Sequence, residues 1–209
     1  MSAQTAPAFR AQHSALLLVD LQNDFLHPSG AYARGGVSCA AAAALPARLA
    51  PVAEAARFAG AWIFSTHFTL VPGRGGAPLI SPHLAKLRPF LGPGDFAPGS
   101  EGQALVRELR PADFSVEKIA YSAFYMSRLE WLLHRCGCET LLIAGLTTNG
   151  GVASTLRDAH VRGFECRLLA DGCAAFSERA HKTALADLAS LCQLTTCAET
   201  AAGLRAQKD

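Results

Sequence analysis

Two charged residues stand where a buried sheet would present working groups. Asp20 closes the apolar run at residues 15–20 (ALLLVD), and Lys118 lies near the end of a later run, in VEKIAYSAF. A carboxylate at the end of a buried strand is partly desolvated, so it needs a partner or a raised pKa. It can serve as an acid or base, or it can cap neighbouring backbone N–H groups, and position alone does not separate the two. An Asp–Lys pair in one crevice would hold the carboxylate ionised and aimed, or exchange a proton with it. The commoner fate of a lysine is a stem laid along the surface with its charge in water. Residues 145–155 (GLTTNGGVAST) read as a strand, a tight turn of small residues and a helix start. N–H groups exposed at a helix N-terminus, here from Thr147, Gly150 and Gly151, can receive an oxyanion. The stretch lacks the Gly-Lys-Ser/Thr of a phosphate-binding loop and is not G-x-G-x-x-G, and an ordinary turn has the same composition. Tyr121 and Phe124 follow the Lys118 run and either line a mouth or fill the core.

These groups need a scaffold, and apolar periodicity outlines one. A short continuous apolar run at 15–20, and further segments at 61–64, 114–119, 140–145, 166–170 and 193–196, read as strands. Helical patterns at 38–60, 101–109, 126–136, 149–162, 178–191 and 198–206 alternate with them. Pro46 and Pro51 enter or kink the first helix, and glycines stop several others. Alternation of this kind gives an α/β fold: a doubly wound, three-layer sandwich whose mostly parallel sheet carries helices on both faces. Its site lies beyond the carboxyl ends of the strands. Asp20, Thr66, His67, Lys118, residues 147–151 and Asp171 all fall there. Residues 71–100 hold many Gly and Pro without a period, and long loops of this kind are usually functional or mobile.

Composition narrows the classes of function. Of the 209 residues half are hydrophobic, which excludes a disordered chain. The formal net charge of +2, without a long run of Lys or Arg, argues against a dedicated nucleic-acid or membrane-surface binder. Without a signal-like or 18-residue apolar run, a cytoplasmic protein is the expectation. The length fits one domain over 1–209, with 1–13 as a loose extension. The seven cysteines are odd in number and lack zinc-finger spacing, so they read as reduced, mostly buried thiols.

Three segments in this order, VDLQNDF, EKIAYSAF and GLTTNGGVASTLRDA followed by ADGCAAFSERAH, resemble the isochorismatase-like hydrolase superfamily. The resemblance spans roughly residues 14–197. It implies a six-stranded parallel sheet and a homodimer or homotetramer. HPSGAYARGG and FAPGS look most like the ureidoacrylate and biuret branch. In the amidohydrolase members an Asp, a Lys and a Cys form a triad, and Asp20 and Lys118 match the first two. The Cys falls at the seventh position of G-x-x-T-x-x-C-V, where this chain has Gly151. A triad without its thiol cannot form a thioester acyl-enzyme. Isochorismatases, as the resemblance has it, also keep the Asp and Lys, carry Gly there and hydrolyse a vinyl ether. Nicotinamidases hold a metal through Asp-x-His, whereas this chain reads STHFTLVPG, so no metal and no cofactor are expected.

The reading is therefore a hydrolase of a small metabolite that uses Asp20 and Lys118 without a cysteine nucleophile, with vinyl-ether cleavage first. An amidohydrolase with a substituted nucleophile and a catalytically silent ligand-binding homologue are the alternatives. Phe25, His67, Tyr121 and Phe124 are the expected substrate-lining side chains.

Overall fold

Apolar runs buried on both faces form the centre of the molecule. The computed structural model describes residues 9–207. Among them the strands are β1 (Ser14–Val19), β2 (Trp62–Phe68), β3 (Phe114–Lys118), β4 (Thr140–Leu146), β5 (Glu165–Ala174) and β6 (Gln193–Thr195). They make one sheet in the order β3-β2-β1-β4-β5-β6, with every pairing parallel. The helices are α1 (Asn23–Leu26), α2 (Ala31–Arg34), α3 (Ala40–Ala43), α4 (Leu45–Ala59), α5 (Pro82–Leu87), α6 (Leu129–Arg135), α7 (Ala153–Val161), α8 (Glu178–Leu188) and α9 (Cys197–Arg205).

Side-chain alternation along the strands divides the core into two layers. Leu16, Leu18, Leu142 and Ala144 face α4 and α9. Leu17, Val19, Leu141 and Ile143 face α6 and α7. Parallel strands need crossovers, and the chain runs outward from β1 to β3 before returning to β4 at β1's other side. The order of winding thus reverses between β1 and β4, the place where such sheets open a crevice. Gly145 keeps these two strands close: a Cβ there would stand 2.0 Å from the Val19 carbonyl oxygen.

Several elements differ from the sequence expectation. The 38–60 helix is divided at Ala44, because Pro46 has no N–H to give and occupies the first turn of α4. β2 continues four residues past Phe64, to Phe68. Residues 101–106 are not helical. Their carbonyls at Gly102 and Ala104 accept from Asp24 and Asn23, and Leu105 bridges Gln22, so only Arg107–Leu109 closes a 3-10 turn. The 126–136 helix starts at Leu129, and the 149–162 helix opens with a π turn, Thr148–Val152. α5 lies inside the segment expected to be irregular. Residues 9–13 are not loose: Phe9 is buried beneath Arg167, and the Ala11 N–H donates to Gln207. The remainder of the expected extension, 1–8, lies outside the described residues.

Candidate active site

The end of β1 delivers Asp20 in a left-handed conformation, φ 56°, which Asp tolerates better than most residues. Its N–H donates to the Thr66 carbonyl, tying it to β2. Lys118 ends β3 and reaches past β2, with its ammonium 5.6 Å from the centroid of the Phe68 ring. Nζ lies 2.7 Å from Asp20 Oδ2, and the two side chains are 2% and 6% exposed. Lys118 also donates to the Ala120 carbonyl, and the Thr66 hydroxyl donates to Asp20 Oδ1 at 3.2 Å. Burial pushes the Asp20 carboxyl above the usual range, while Lys118 pulls against that shift. A buried pair of this kind is costly to break: loss of one partner typically costs about 3–5 kcal/mol.

The turn after β4 faces the same carboxylate. Gly151 is buried, and its φ is outside the left-handed region. A Cβ on it would stand 2.9 Å from the Leu146 carbonyl oxygen and 3.1 Å from Asp20 Oδ2. Glycine is thus required here by close approach rather than by backbone conformation, and a side chain at 151 would meet Asp20. The Gly150 N–H, expected to be open to an oxyanion, donates to the Thr147 carbonyl at 2.9 Å. Thr148 is buried behind the turn, and its hydroxyl bonds His181 Nδ1 at 2.7 Å.

A cavity of about 770 Å³ opens over these groups, within the range of small-molecule sites. Asp20, Lys118, Thr147, Gly150 and Gly151 line one part of it. Phe25 and Tyr121 are in the wall, as expected. His67 and Phe124 are not. His67 projects from the face of β2 opposite Thr66 and Phe68, where Nε2 bonds the Ser65 hydroxyl at 2.8 Å, and burial holds its pKa down. Phe124 packs on Phe164 under the Arg162 guanidinium, in the core. Asp171 also stands apart: its carboxylate accepts from the Cys197 N–H at the start of α9. Sequence reasoning missed Tyr32, Phe68, Arg88 and Phe176, all cavity-lining. Most of them come from segments without a readable period.

No cysteine lines the cavity. Burial pushes the thiols of Cys138, Cys166 and Cys197 up to about 12 and that of Cys192 to about 11. Cys173, opposite Gly145 in the sheet, is raised further by the same cause. Among the described residues no group of three or more His, Cys, Asp or Glu side chains is placed to hold a metal ion. No helix among them is long and apolar enough to cross a membrane.

The parallel sheet thus holds a buried acid–lysine pair beside a close-packed glycine turn at its switch point. The family profile described as the Isochorismatase domain matches residues 14–200, and the chain belongs to that family of hydrolases. A ureidoacrylate amidohydrolase RutB from Methylorubrum extorquens is 32% identical over 175 residues, which is 78% of this chain and 71% of that protein. The protein of the same name from Pantoea ananatis is 32% identical over 164 residues, 73% of this chain and 66% of its own. Among solved structures, a cysteine hydrolase from Pseudomonas syringae pv. phaseolicola superposes with a TM-score of 0.82 at 20% identity, covering 98% of this chain and all of that one. The N-carbamoylsarcosine amidase from Thermoplasma acidophilum gives 0.69 at 22% identity, covering 88% and 96%. At these identities the two structures speak for the fold.

Proposed function

We propose that this hydrolase cleaves a small amide or ureide with water, not a thiol, as the attacking group. The observation that carries the reading is the Asp20 carboxylate, paired with Lys118 and 3.1 Å from the place a Cβ on residue 151 would take. A water molecule standing over the Gly151 Cα, on the cavity side of that place, would lie beside the carboxylate. In the proposed sequence, ionised Asp20 takes a proton from the water as its oxygen attacks the carbonyl carbon. Backbone N–H groups of the 147–151 turn other than that of Gly150, which the Thr147 carbonyl already holds, receive the oxyanion. The tetrahedral intermediate collapses as protonated Asp20 returns the proton to the leaving nitrogen. An amide yields a carboxylic acid and an amine, and a terminal ureide yields ammonia and a carbamate. Lys118 is the positioning residue that keeps Asp20 aimed and charged. The RutB relatives support this reading over vinyl-ether cleavage, which the sequence resemblance placed first.

Vinyl-ether hydrolysis is the second reading, favoured by the burial that raises Asp20. A protonated Asp20 would protonate the enol carbon, and water would add to the resulting oxocarbenium ion. Products separate the two: ammonia from 3-ureidoacrylate, or pyruvate from isochorismate. With the amide reading, ammonia release survives alkylation of accessible thiols in the folded protein. Loss of turnover in step with one labelled cysteine, with substrate protecting that thiol, would overturn it.

The pH profile of Lys118→Met gives an independent check. The cation favours ionised Asp20, so its removal leaves burial unopposed and raises the carboxyl pKa further. If Asp20 is the base, the acid limb of kcat/KM moves to higher pH, by roughly 1–3 units. If Asp20 is the acid, it is the alkaline limb that moves up. A profile that stays in place removes Lys118 from the chemistry.

A further inference from the structure

The excursion between β2 and β3 brings to the cavity a cation that the hydrolysis above does not use. Arg88 directly follows α5 and lines the same cavity as Asp20. Its guanidinium carbon lies 5.7 Å from the centroid of the Tyr32 ring and 5.8 Å from that of Phe176. Those two rings stack on each other, with centroids 5.2 Å apart and planes 15° apart. Nε donates to the Tyr32 hydroxyl at 3.3 Å, and Nη1 to the Leu87 carbonyl at 3.0 Å. The aromatic pair and these two bonds hold the planar group at the cavity wall.

Charge decides what such a group is for. Arg34, Arg110 and Arg162 each have a carboxylate partner. Among the described residues Arg88 has no ion pair within 4.0 Å. The cavity wall contains one carboxylate, Asp20, and Lys118 already neutralises it. The cavity wall therefore carries a net positive charge, located at Arg88. Tyr32, whose hydroxyl Arg88 bonds, lines the same cavity as Asp20, so one small molecule can meet both ends of the site. A guanidinium presents a fork of N–H donors that matches a carboxylate. The rings of Tyr32, Phe68 and Phe176 line the same cavity.

We infer that Arg88 is the carboxylate anchor of this site. It selects small monoanionic acids that also carry the amide or ureide held over Gly151. The inference rests on the amide reading of the site for the second half of that description, and on Arg88's surroundings for the first.

The experiment compares an acid with its neutral form. Wild type, Arg88→Lys and Arg88→Met are assayed for ammonia release from 3-ureidoacrylate and from its methyl ester, after melting curves confirm folding. Arg88→Met should lower the ratio of kcat/KM for acid over ester by roughly 10–100-fold, chiefly through KM, the size expected for hydrogen bonds to a charged group. Arg88→Lys keeps the charge without the fork and should fall between. Equal losses on acid and ester would make Arg88 a wall residue and overturn the inference, as would an unchanged ratio. A binding arm separates this outcome from failure of the amide reading. Calorimetry of 3-ureidoacrylate with Asp20→Asn and with Asp20→Asn/Arg88→Met needs no turnover. A binding constant weakened roughly 10–100-fold by the second change supports the anchor even if wild type releases no ammonia. Equal affinity, or no binding to either protein, overturns it.

Discussion

Asp20→Asn lowers kcat by roughly 10²–10⁴-fold, the usual contribution of a positioned acid–base group. Asn has nearly the same shape and keeps an acceptor for the Thr66 hydroxyl, so the end of β1 retains its local bond. What it removes is the proton carrier and the charge that neutralises Lys118. Lys118 is then a buried cation without its partner, which by itself destabilises the fold. Asp20→Asn/Lys118→Met removes that lone charge and should melt at a higher temperature than the single variant while remaining as inactive. The two proteins together separate lost chemistry from lost stability. Turnover within threefold of wild type in a folded Asp20→Asn protein would take Asp20 out of the reaction.

The second large effect is expected at Gly151. Gly151→Ala places a methyl group 3.1 Å from Asp20 Oδ2, directly beneath the attacking water proposed over residue 151, and crowds it out. Displacing a reactant from its geometry costs roughly 10²-fold, and this loss should appear in kcat. Gly151→Cys carries the same Cβ and adds a thiol beside Asp20, at a turn leading into α7. Both variants must accept a contact of 2.9 Å with the Leu146 carbonyl oxygen, so any shared loss belongs to that crowding. The ratio of Cys to Ala activity then reads thiol chemistry alone. It should exceed one and fall to one or below on treatment with iodoacetamide, while wild type is insensitive. Full activity in Gly151→Ala would mean that no reacting water stands above residue 151.

The strand-and-helix alternation was readable because β1 and β4 are short apolar runs buried along their length and most helices end at or next to a Gly or begin at a capping residue. Asp20 was readable because a polar residue that ends such a run has to face the crevice, and Lys118 because it ends the neighbouring strand segment. Gly151 stood out by resemblance, and the close approach of Leu146 and Asp20 gives the physical cause. His67 was misplaced by a matter of parity. With β2 ended at Phe64, nothing says which face His67 takes; with β2 continued to Phe68, alternation sends Thr66 and Phe68 to the site and His67 away. Phe124 sits after β3, where no periodicity separates mouth from core. Arg88 and Tyr32 were invisible because long-range contacts position them. The buried Asp24 carboxylate accepts from the N–H groups of Ala31 and Phe96, and Gln103 joins Thr69 to the loop at Gly99. No local pattern encodes such a strap.

The strand order has a consequence for the birth of the molecule. β1 is buried along its whole length, and one of its edges pairs with β4, which the ribosome makes only after β2, β3 and α6. A nascent chain that has folded its first half therefore carries an unpaired edge along Ser14–Val19, all apolar except its first residue. Such an edge is open to the wrong partner, including the same segment of a neighbouring chain. The residues that close the edge also end in the turn that faces Asp20. Pairing of Thr140–Leu146 with β1 therefore both covers that edge and carries the glycine turn to Asp20.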